Sequence, residues 1–383
     1  MKKVAVFTSI RSEYGLLSPL LEKFKQHDSF KLELIVGGAH LVKEYGQTVT
    51  FIEADDIPIA CKLPFLFGDE EKDVLTRSLA SLQQQIGKYF SENKPDILVV
   101  LGDRIELLPV VLAATLNKIP IAHISGGETT EGAIDNQVRH ALTKLSHIHF
   151  PATKIYAKNI ISMGEEPWRV CVSGEPGLDL IDRINYIDKV DLYAQLGLDE
   201  KKPVVLVTFH PETISNKITP QLVSSVCKAL IYREYQVLAT AANFDEGGPE
   251  INRVYESFVS QKMISYQKSL GQLRYYSMLK YAAMMVGNSS SGLVEAQSFN
   301  LPVLNIGDRQ KGRLAGLNVI HVPADFHSIE RGIQVALSVE FKKQYFDQPN
   351  IYGDGQACNR IISYLEQVEW QKLLVKKDNF CVE

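Results

Sequence analysis

No Cys-x-x-Cys pair occurs in this chain, and its five cysteines (Cys61, Cys171, Cys227, Cys358 and Cys381) are scattered and odd in number. Neither a zinc ribbon nor a disulfide framework is suggested, and a reducing cytoplasm is the expected setting. No apolar run approaches the roughly 18 residues that a membrane span needs. Met1-Lys2-Lys3 and the apolar residues after it are interrupted by Arg11 and Glu13 before a signal-peptide core can form, so a first β-strand is expected there. The Asn288-Ser289-Ser290 sequon is then an accidental match. Charge of one sign is also lacking: 41 Lys plus Arg stand against 45 Asp plus Glu, a formal net charge of −4. That gives no global attraction for nucleic acid or an anionic membrane, and leaves any phosphate to a local site. Nothing matches G-x-G-x-x-G after a strand. Gly307 to Arg313 has only the spacing of a P-loop, ending Gly312-Arg313-Leu314 without the lysine and hydroxyl that grip phosphates and magnesium. NAD and ATP are therefore not first expectations, and no cofactor or metal is expected.

What is present is ordinary for a folded protein: 383 residues, 45% hydrophobic and 22% charged. At about 100 to 200 residues per domain, two domains are expected. Short β-branched runs alternate with longer amphipathic stretches. The first series is Val4 to Ile10, Leu32 to Gly37, Asp96 to Leu101, Ile119 to Ile124 and His147 to Pro151. The second is Pro203 to His210, Gln236 to Ala241, Met263 to Tyr266, Ala282 to Gly287, Pro302 to Ile306 and Val319 to Pro323. Such alternation predicts α/β architecture: two Rossmann-like, doubly wound domains with parallel sheets, facing a cleft at the carboxyl ends of the strands. The polar stretch Asp182 to Lys202 is placed as the hinge. It divides residues 1–180 from residues 181–383, the last helix of the second domain being placed to pack back on the first.

Residues just after the strands carry the chemistry. Gly287-Asn288-Ser289-Ser290-Ser291-Gly292 precedes a helix expected near Leu293, where free N–H groups and hydroxyls suit a phosphate. An ordinary serine N-cap is the alternative. Glu295, one turn on, either complements the helix dipole or accepts both hydroxyls of a ribose. Arg309, Lys311 and Arg313 form a positive cluster that becomes a diphosphate partner beside the serine loop. His210, before Pro211, is a candidate phosphate donor. In the first domain Asp103 and Glu128 each follow a strand. Asp135 opens a helix with an apolar stripe of Ile134, Val138, Ala141, Leu142 and Leu145. Carboxylates grouped in a cleft serve as general acid and base. The plainer alternatives are a helix cap at Asp103 and an Asp135–Arg139 surface pair four residues apart. His147 and His149 alternate along a strand, but with no third clustered ligand they are expected to be structural.

Taken in order, these motifs resemble the UDP-N-acetylglucosamine 2-epimerase family, and in particular its hydrolysing branch, which feeds sialic-acid-type sugar synthesis. The most specific stretches are Phe209-His210-Pro211-Glu212-Thr213, Gly287 to Gly292, and Ile306 to Arg313, while Gly102-Asp103-Arg104 and Phe209-His210-Pro211 resemble the hydrolysing branch. The resemblance implies a fold of glycosyltransferase B type. It implies UDP held through Ser289, Ser290, Glu295, His210 and Arg309, with Arg11 reaching across from the first domain and Arg104, Asn243 and Arg313 also binding substrate. Asp103, Glu128 and Asp135 would surround the sugar as catalytic residues. The implied reaction is anti elimination of UDP to a glycal, then hydration to the free 2-epimeric sugar, without metal, in a homodimer or homotetramer. Three positions depart from the family pattern: Ser9 in place of a glycine, Ile10 in place of a hydroxyl residue, and Glu175 where a small polar residue is common. A glycosyltransferase of the same fold, a non-hydrolysing epimerase and a non-catalytic nucleotide-sugar sensor are the competing expectations.

Overall fold

The computed structural model describes residues 1–67, 73–131, 133–212, 217–242 and 247–377. The chain forms two compact units. The first comprises Met1–Glu128, Asp135–Leu180 and the stretch from Tyr352 onward; the second comprises Thr129–Ile134 and Ile181–Ile351.

In the first unit six strands, β1 (Lys2–Thr8), β2 (Phe30–Gly37), β3 (Ile59–Leu63), β4 (Ile97–Leu101), β5 (Ile121–Ile124) and β6 (Ile148–Phe150), form one sheet in the order β3-β2-β1-β4-β5-β6. Every pairing is parallel. Because side chains alternate across a strand, β1 sends Val4 and Val6 to one layer and Ala5 and Phe7 to the other. The first layer is closed by helix Arg11–Gln26 through Leu17, Leu20, Leu21 and Phe24, and by helix Ala357–Gln367 through Cys358, Ile361, Ile362 and Leu365. The second is closed by helix Val74–Glu92 through Leu82, Ile86 and Phe90. Each such side chain contributes roughly 1.5–3 kcal/mol on burial. The C-terminal helix is capped from a distance: the carboxylate of Asp179 accepts the backbone N–H of Ala357 and of Cys358, both at 2.8 Å.

The second unit repeats the design with β7 (Val204–Thr208), β8 (Gln236–Thr240), β9 (Ser265–Gln267), β10 (Met284–Gly287), β11 (Val303–Ile306) and β12 (Val319–Val322), ordered β12-β11-β10-β7-β8-β9. These pairings too are all parallel. Renumbered from its own first strand, this is the same order as in the first unit. Each sheet therefore reverses its winding beside its first strand, at β1/β4 and at β7/β10, where strand ends open a crevice for ligands.

The strands expected from sequence are present with ends shifted by one or a few residues: the first begins at Lys2 and stops at Thr8, so that Ile10 falls at the N-cap position of the following helix. The edge strand β3 was not anticipated. Its residues alternate between half-buried (Ile59, Cys61) and exposed (Ala60, Lys62) before buried Leu63, and it lacks the buried β-branched run of a central strand.

Candidate active site

Ile10, at the N-cap of helix Arg11–Gln26, has no side-chain oxygen for the first helical N–H groups, and Glu13 in the first turn supplies only the half of a capping box that reaches back to the preceding turn. Its Oε2 accepts hydrogen bonds from Ser9 N (2.9 Å), Ser9 Oγ (3.0 Å) and Ile10 N (3.3 Å). Burial pushes the Glu13 carboxyl up to about 7, opposed by the nearby Arg104 cation and the Ser9 hydrogen bonds and assisted by Glu106. Arg11, the first helical residue, lays its guanidinium 4.7 Å over the Phe51 ring.

After β4, Asp103 is ion-paired with Arg139, which is only 1% exposed. Arg139 also donates from Nη1 to the carbonyl of Glu128 at 3.1 Å. One buried guanidinium on helix Asp135–Leu145 thus ties together the loops after β4 and β5, and that helix begins at Asp135. The buried face of the helix is Val138, Arg139, Leu142 and Thr143, while Ile134 and Ala141 of the expected stripe lie exposed. The rotation follows from the polar partners. Arg139 serves Asp103, and Thr143 contacts Nδ1 of His123 at 3.2 Å. His123 is fully buried and held neutral, pushed down to about 4 by burial first of all, with its hydrogen bond to Gly102 opposing. Its Nε2 lies 2.7 Å from the Gly102 carbonyl, which can only accept, so Nε2 carries the proton. Arg104 donates to Glu106 at 2.6 Å. Glu175 is buried, both its oxygens reached by the Ser125 hydroxyl at 2.8 and 2.9 Å, and Ser125 has the strained φ of 60°.

His147 and His149 have structural partners: His147 Nδ1 accepts Ile121 N at 3.1 Å, and His149 meets buried Glu165 at 3.2 Å. Among the described residues no group of three or more His, Cys, Asp and Glu side chains is arranged to hold a metal ion.

In the second unit the crevice is built around Asn288, which is fully buried. Its side chain accepts His210 N at 2.7 Å and donates to His210 O at 2.8 Å, joining the ends of β7 and β10. Its carbonyl accepts Arg309 Nη1 at 3.1 Å and Gln310 Nε2 at 2.9 Å. Arg313 in turn donates to Gln310 Oε1 at 3.2 Å. Buried Glu212 fixes the start of this loop, its carboxylate accepting Asp308 N (2.7 Å), Arg309 N (3.2 Å) and Lys217 N (3.3 Å). Gly287 ends β10 at φ 140°, and a Cβ there would lie 1.9 Å from Thr208 O. Only glycine permits that approach.

The serine loop differs from its expected form. The helix after it is one turn, Ser291–Val294, continued by a 3₁₀ turn, Ala296–Phe299, so little macrodipole accumulates. Ser290 makes no side-chain cap. Ser289 accepts instead, Oγ from Ser291 N at 3.4 Å and O from Gly292 N at 3.2 Å. Glu295 is buried, which raises its carboxyl, with the Ser291 hydroxyl and Arg313 opposing. Its Oε2 has no hydrogen-bond partner among the described residues. Tyr275 donates to Ser291 at 2.6 Å, extending the chain of hydroxyls. Lys311 of the expected positive cluster is paired with Glu131 at 2.9 Å. Asn243 and Thr213 lie outside the described residues.

Asp103, the Glu128 backbone and the start of the Asp135 helix are thus organised by one buried arginine in the first unit, with Arg11 and Arg104 on neighbouring turns. His210, Ser289, Arg309 and Arg313 are gathered by Asn288 and Gln310 in the second, with Ser290 and Glu295 on the adjoining turn. Glu13, His123, Asn288 and Glu212 are not singled out as partners from sequence, and Arg139 is paired there with Asp135 rather than with Asp103. Only burial exposes their role, although a lone acid at the third position of an uncapped helix is a usable signal for Glu13.

Residues 22–366 match the UDP-N-acetylglucosamine 2-epimerase family. The chain is 34% identical over 379 residues to a GDP/UDP-N,N'-diacetylbacillosamine 2-epimerase (hydrolyzing) of Campylobacter jejuni, covering 98% of each chain. It is 32% identical over 382 residues to a UDP-N,N'-diacetylbacillosamine 2-epimerase (hydrolyzing) of Legionella pneumophila, covering 99% of each. Its fold is that of the UDP-GlcNAc 2-epimerase from Neisseria meningitidis solved bound to UDP-GlcNAc, with a TM-score of 0.82 at 18% identity over 96% of this chain and 100% of that one. Two parallel units of one strand order and relatives aligned along nearly their whole length lead to one conclusion: the chain belongs to the UDP-N-acetylglucosamine 2-epimerase family.

Proposed function

We propose that this enzyme is a hydrolysing 2-epimerase that converts UDP-2,4-diacetamido-2,4,6-trideoxyglucose (UDP-N,N'-diacetylbacillosamine) to UDP and the free manno-configured sugar, a precursor of sialic-acid-like sugars such as legionaminic acid. The observation that carries this reading is its end-to-end similarity to two relatives named for that hydrolysing reaction. UDP-N-acetylglucosamine is the second substrate to test, because it shares the 2-acetamido group and the diphosphate.

The proton at C2 is poorly acidic, so breaking the C1–O bond must lead and the departing diphosphate must be stabilised. Arg11, Arg104, Arg309, Arg313, His210 and the Ser289–Ser290 turn are assigned that work, with Asn243 on the substrate and Glu295 on the ribose. A carboxylate among Asp103, Glu128 and Asp135 removes the C2 proton, giving a glycal and UDP. Water then adds across C1 and C2, its oxygen to C1 and a proton to C2 from the opposite face. Buried Arg139 beside Asp103 supports assigning Asp103 an ionised, fixed carboxylate. A cytoplasmic homodimer or homotetramer is the expected assembly, and light scattering on the purified chain measures it.

Incubation of each nucleotide sugar with the chain in deuterated water, followed by NMR, tests the function. Free manno sugar with deuterium at C2, together with UDP, is expected, formed faster from the diacetamido substrate and undiminished by chelators. An epimerised sugar still bearing UDP would instead mark a non-hydrolysing enzyme, and unchanged nucleotide sugar a transferase or sensor.

A further inference from the structure

We propose that Glu13 is a positioning residue of the first unit, holding the Ser9–Arg11 turn and the Arg104 turn in the geometry that the reaction proposed above requires, and the inference rests on that reading. Four observations converge on it. One oxygen of Glu13 accepts all three donors of the turn, Ser9 N, Ser9 Oγ and Ile10 N, at 2.9 to 3.3 Å. Behind the turn there is no slack: Ser9 O accepts His40 N at 3.3 Å, and a Cβ on Gly38 would lie 2.9 Å from the same oxygen. The second carboxylate oxygen, Oε1, is buried with no hydrogen-bond partner among the described residues. The charged groups acting on Glu13 are Arg104 and Glu106, both on the turn after β4, the neighbour of β1 where the sheet reverses.

A helix start needs only a small polar cap, and Ser, Asn or Asp at position 10 would supply it without burying a carboxylate. An orphaned buried oxygen costs stability. Ile10 leaves the helix without a side-chain cap, and Glu13 instead reaches back to the turn before the helix, from a position that also meets the β4 turn. The first helical residue after Ile10 is Arg11, so the arginine begins where Glu13 sets the chain.

Four variants separate positioning from mere stability: Glu13→Ala, Glu13→Gln, Glu13→Asp and the double variant Ile10→Asn/Glu13→Ala. Turnover of the preferred UDP-sugar is measured beside UDP affinity by calorimetry and the thermal midpoint. Glu13→Gln keeps an acceptor at the same reach and is expected to retain kcat/KM within about threefold. Glu13→Ala is expected to lose about 100-fold in kcat/KM, the scale on which a misplacement of about 1 Å costs an enzyme, and to bind UDP about tenfold more weakly. Ile10→Asn in that background is expected to recover about tenfold by restoring a local cap. Should Glu13→Ala fail to fold, Glu13→Asp, one methylene short, is expected to lose about tenfold with the fold kept. Unchanged kcat/KM and UDP affinity in the folded alanine or aspartate variant would overturn the inference, as would a glutamine variant as impaired as the alanine. An unmutated chain that turns over neither sugar would sink the functional reading alone, while the UDP affinities still decide the role of Glu13.

Discussion

Strands β4 and β10 hold the same place in their sheets, each beside the first strand at the reversal of winding, and each is closed by a glycine of positive φ. Their surroundings differ. Gly102 at φ 83° has nothing within 4 Å of where a Cβ would stand, whereas at Gly287 that Cβ would be 1.9 Å from the backbone of β7. The first unit keeps its reversal open and lines it with charge: Asp103 on Arg139, Arg104 on Glu106, and Glu13 under the turn between β1 and its helix. The second closes its reversal with backbone and amide, Asn288 knitting β7 to β10 and holding Arg309 from behind. One topology has thus been finished in two ways, one with paired charges and one with backbone and amide; the proposed function assigns proton transfer to the first and the nucleotide to the second.

The strongest way to break that division of labour is Asp103→Asn, which keeps the shape facing Arg139 and removes the carboxylate. Turnover is expected to fall more than about 1,000-fold, with UDP affinity by calorimetry within about threefold; equal loss of both would end the distinction. Arg309→Ala is the converse test, expected to weaken UDP by about 10- to 100-fold, the range of a charge-assisted phosphate contact. The two glycines come next. Gly287→Ala is expected to cost more than about 4 kcal/mol in urea unfolding, because backbone must move, and Gly102→Ala about 1–2 kcal/mol, from left-handed strain alone.

A smaller effect separates Glu13 by pH. Its folded carboxyl stands at about 7 against an unfolded value of 4.5, so between these values the folded chain keeps a proton that the unfolded chain has released. The stabilising contribution is therefore complete below 4.5 and is lost as pH rises through 7. The thermal midpoint of Glu13→Gln relative to the unmutated chain is expected to be a few degrees higher at pH 8 than at pH 5. Smallest of all is Lys311→Ala. Its pair with Glu131 is solvent-exposed at both ends, and an unchanged thermal midpoint is expected.

Much of this was legible in the residues. Buried strands such as Val204–Thr208 announce themselves because both faces of a parallel sheet demand apolar side chains. Motifs directly after strands fall where such sheets bind ligands. What escaped was whatever depends on partners far apart in sequence. Arg139 was expected to face Asp135 four residues away, but its guanidinium lies buried against Asp103, 36 positions back. Edge strand β3 escaped because a strand exposed along one side has no compositional reason to look like a core strand.

The C-terminal stretch carries a consequence for the life of the chain before it is folded. Cys358, Ile361, Ile362 and Leu365 fill a core layer that β1 begins, and Arg169 holds the carbonyls of Leu373 and Val375 at 3.0 and 2.6 Å. The first unit is therefore the last to be completed on the ribosome. Its opening strands must wait, with one layer unsealed, while the main part of the second unit emerges and folds in the interval. A nascent chain stalled before Tyr352 exposes the hydrophobic face of its beginning, and a late frameshift wounds the end of the molecule that was made first.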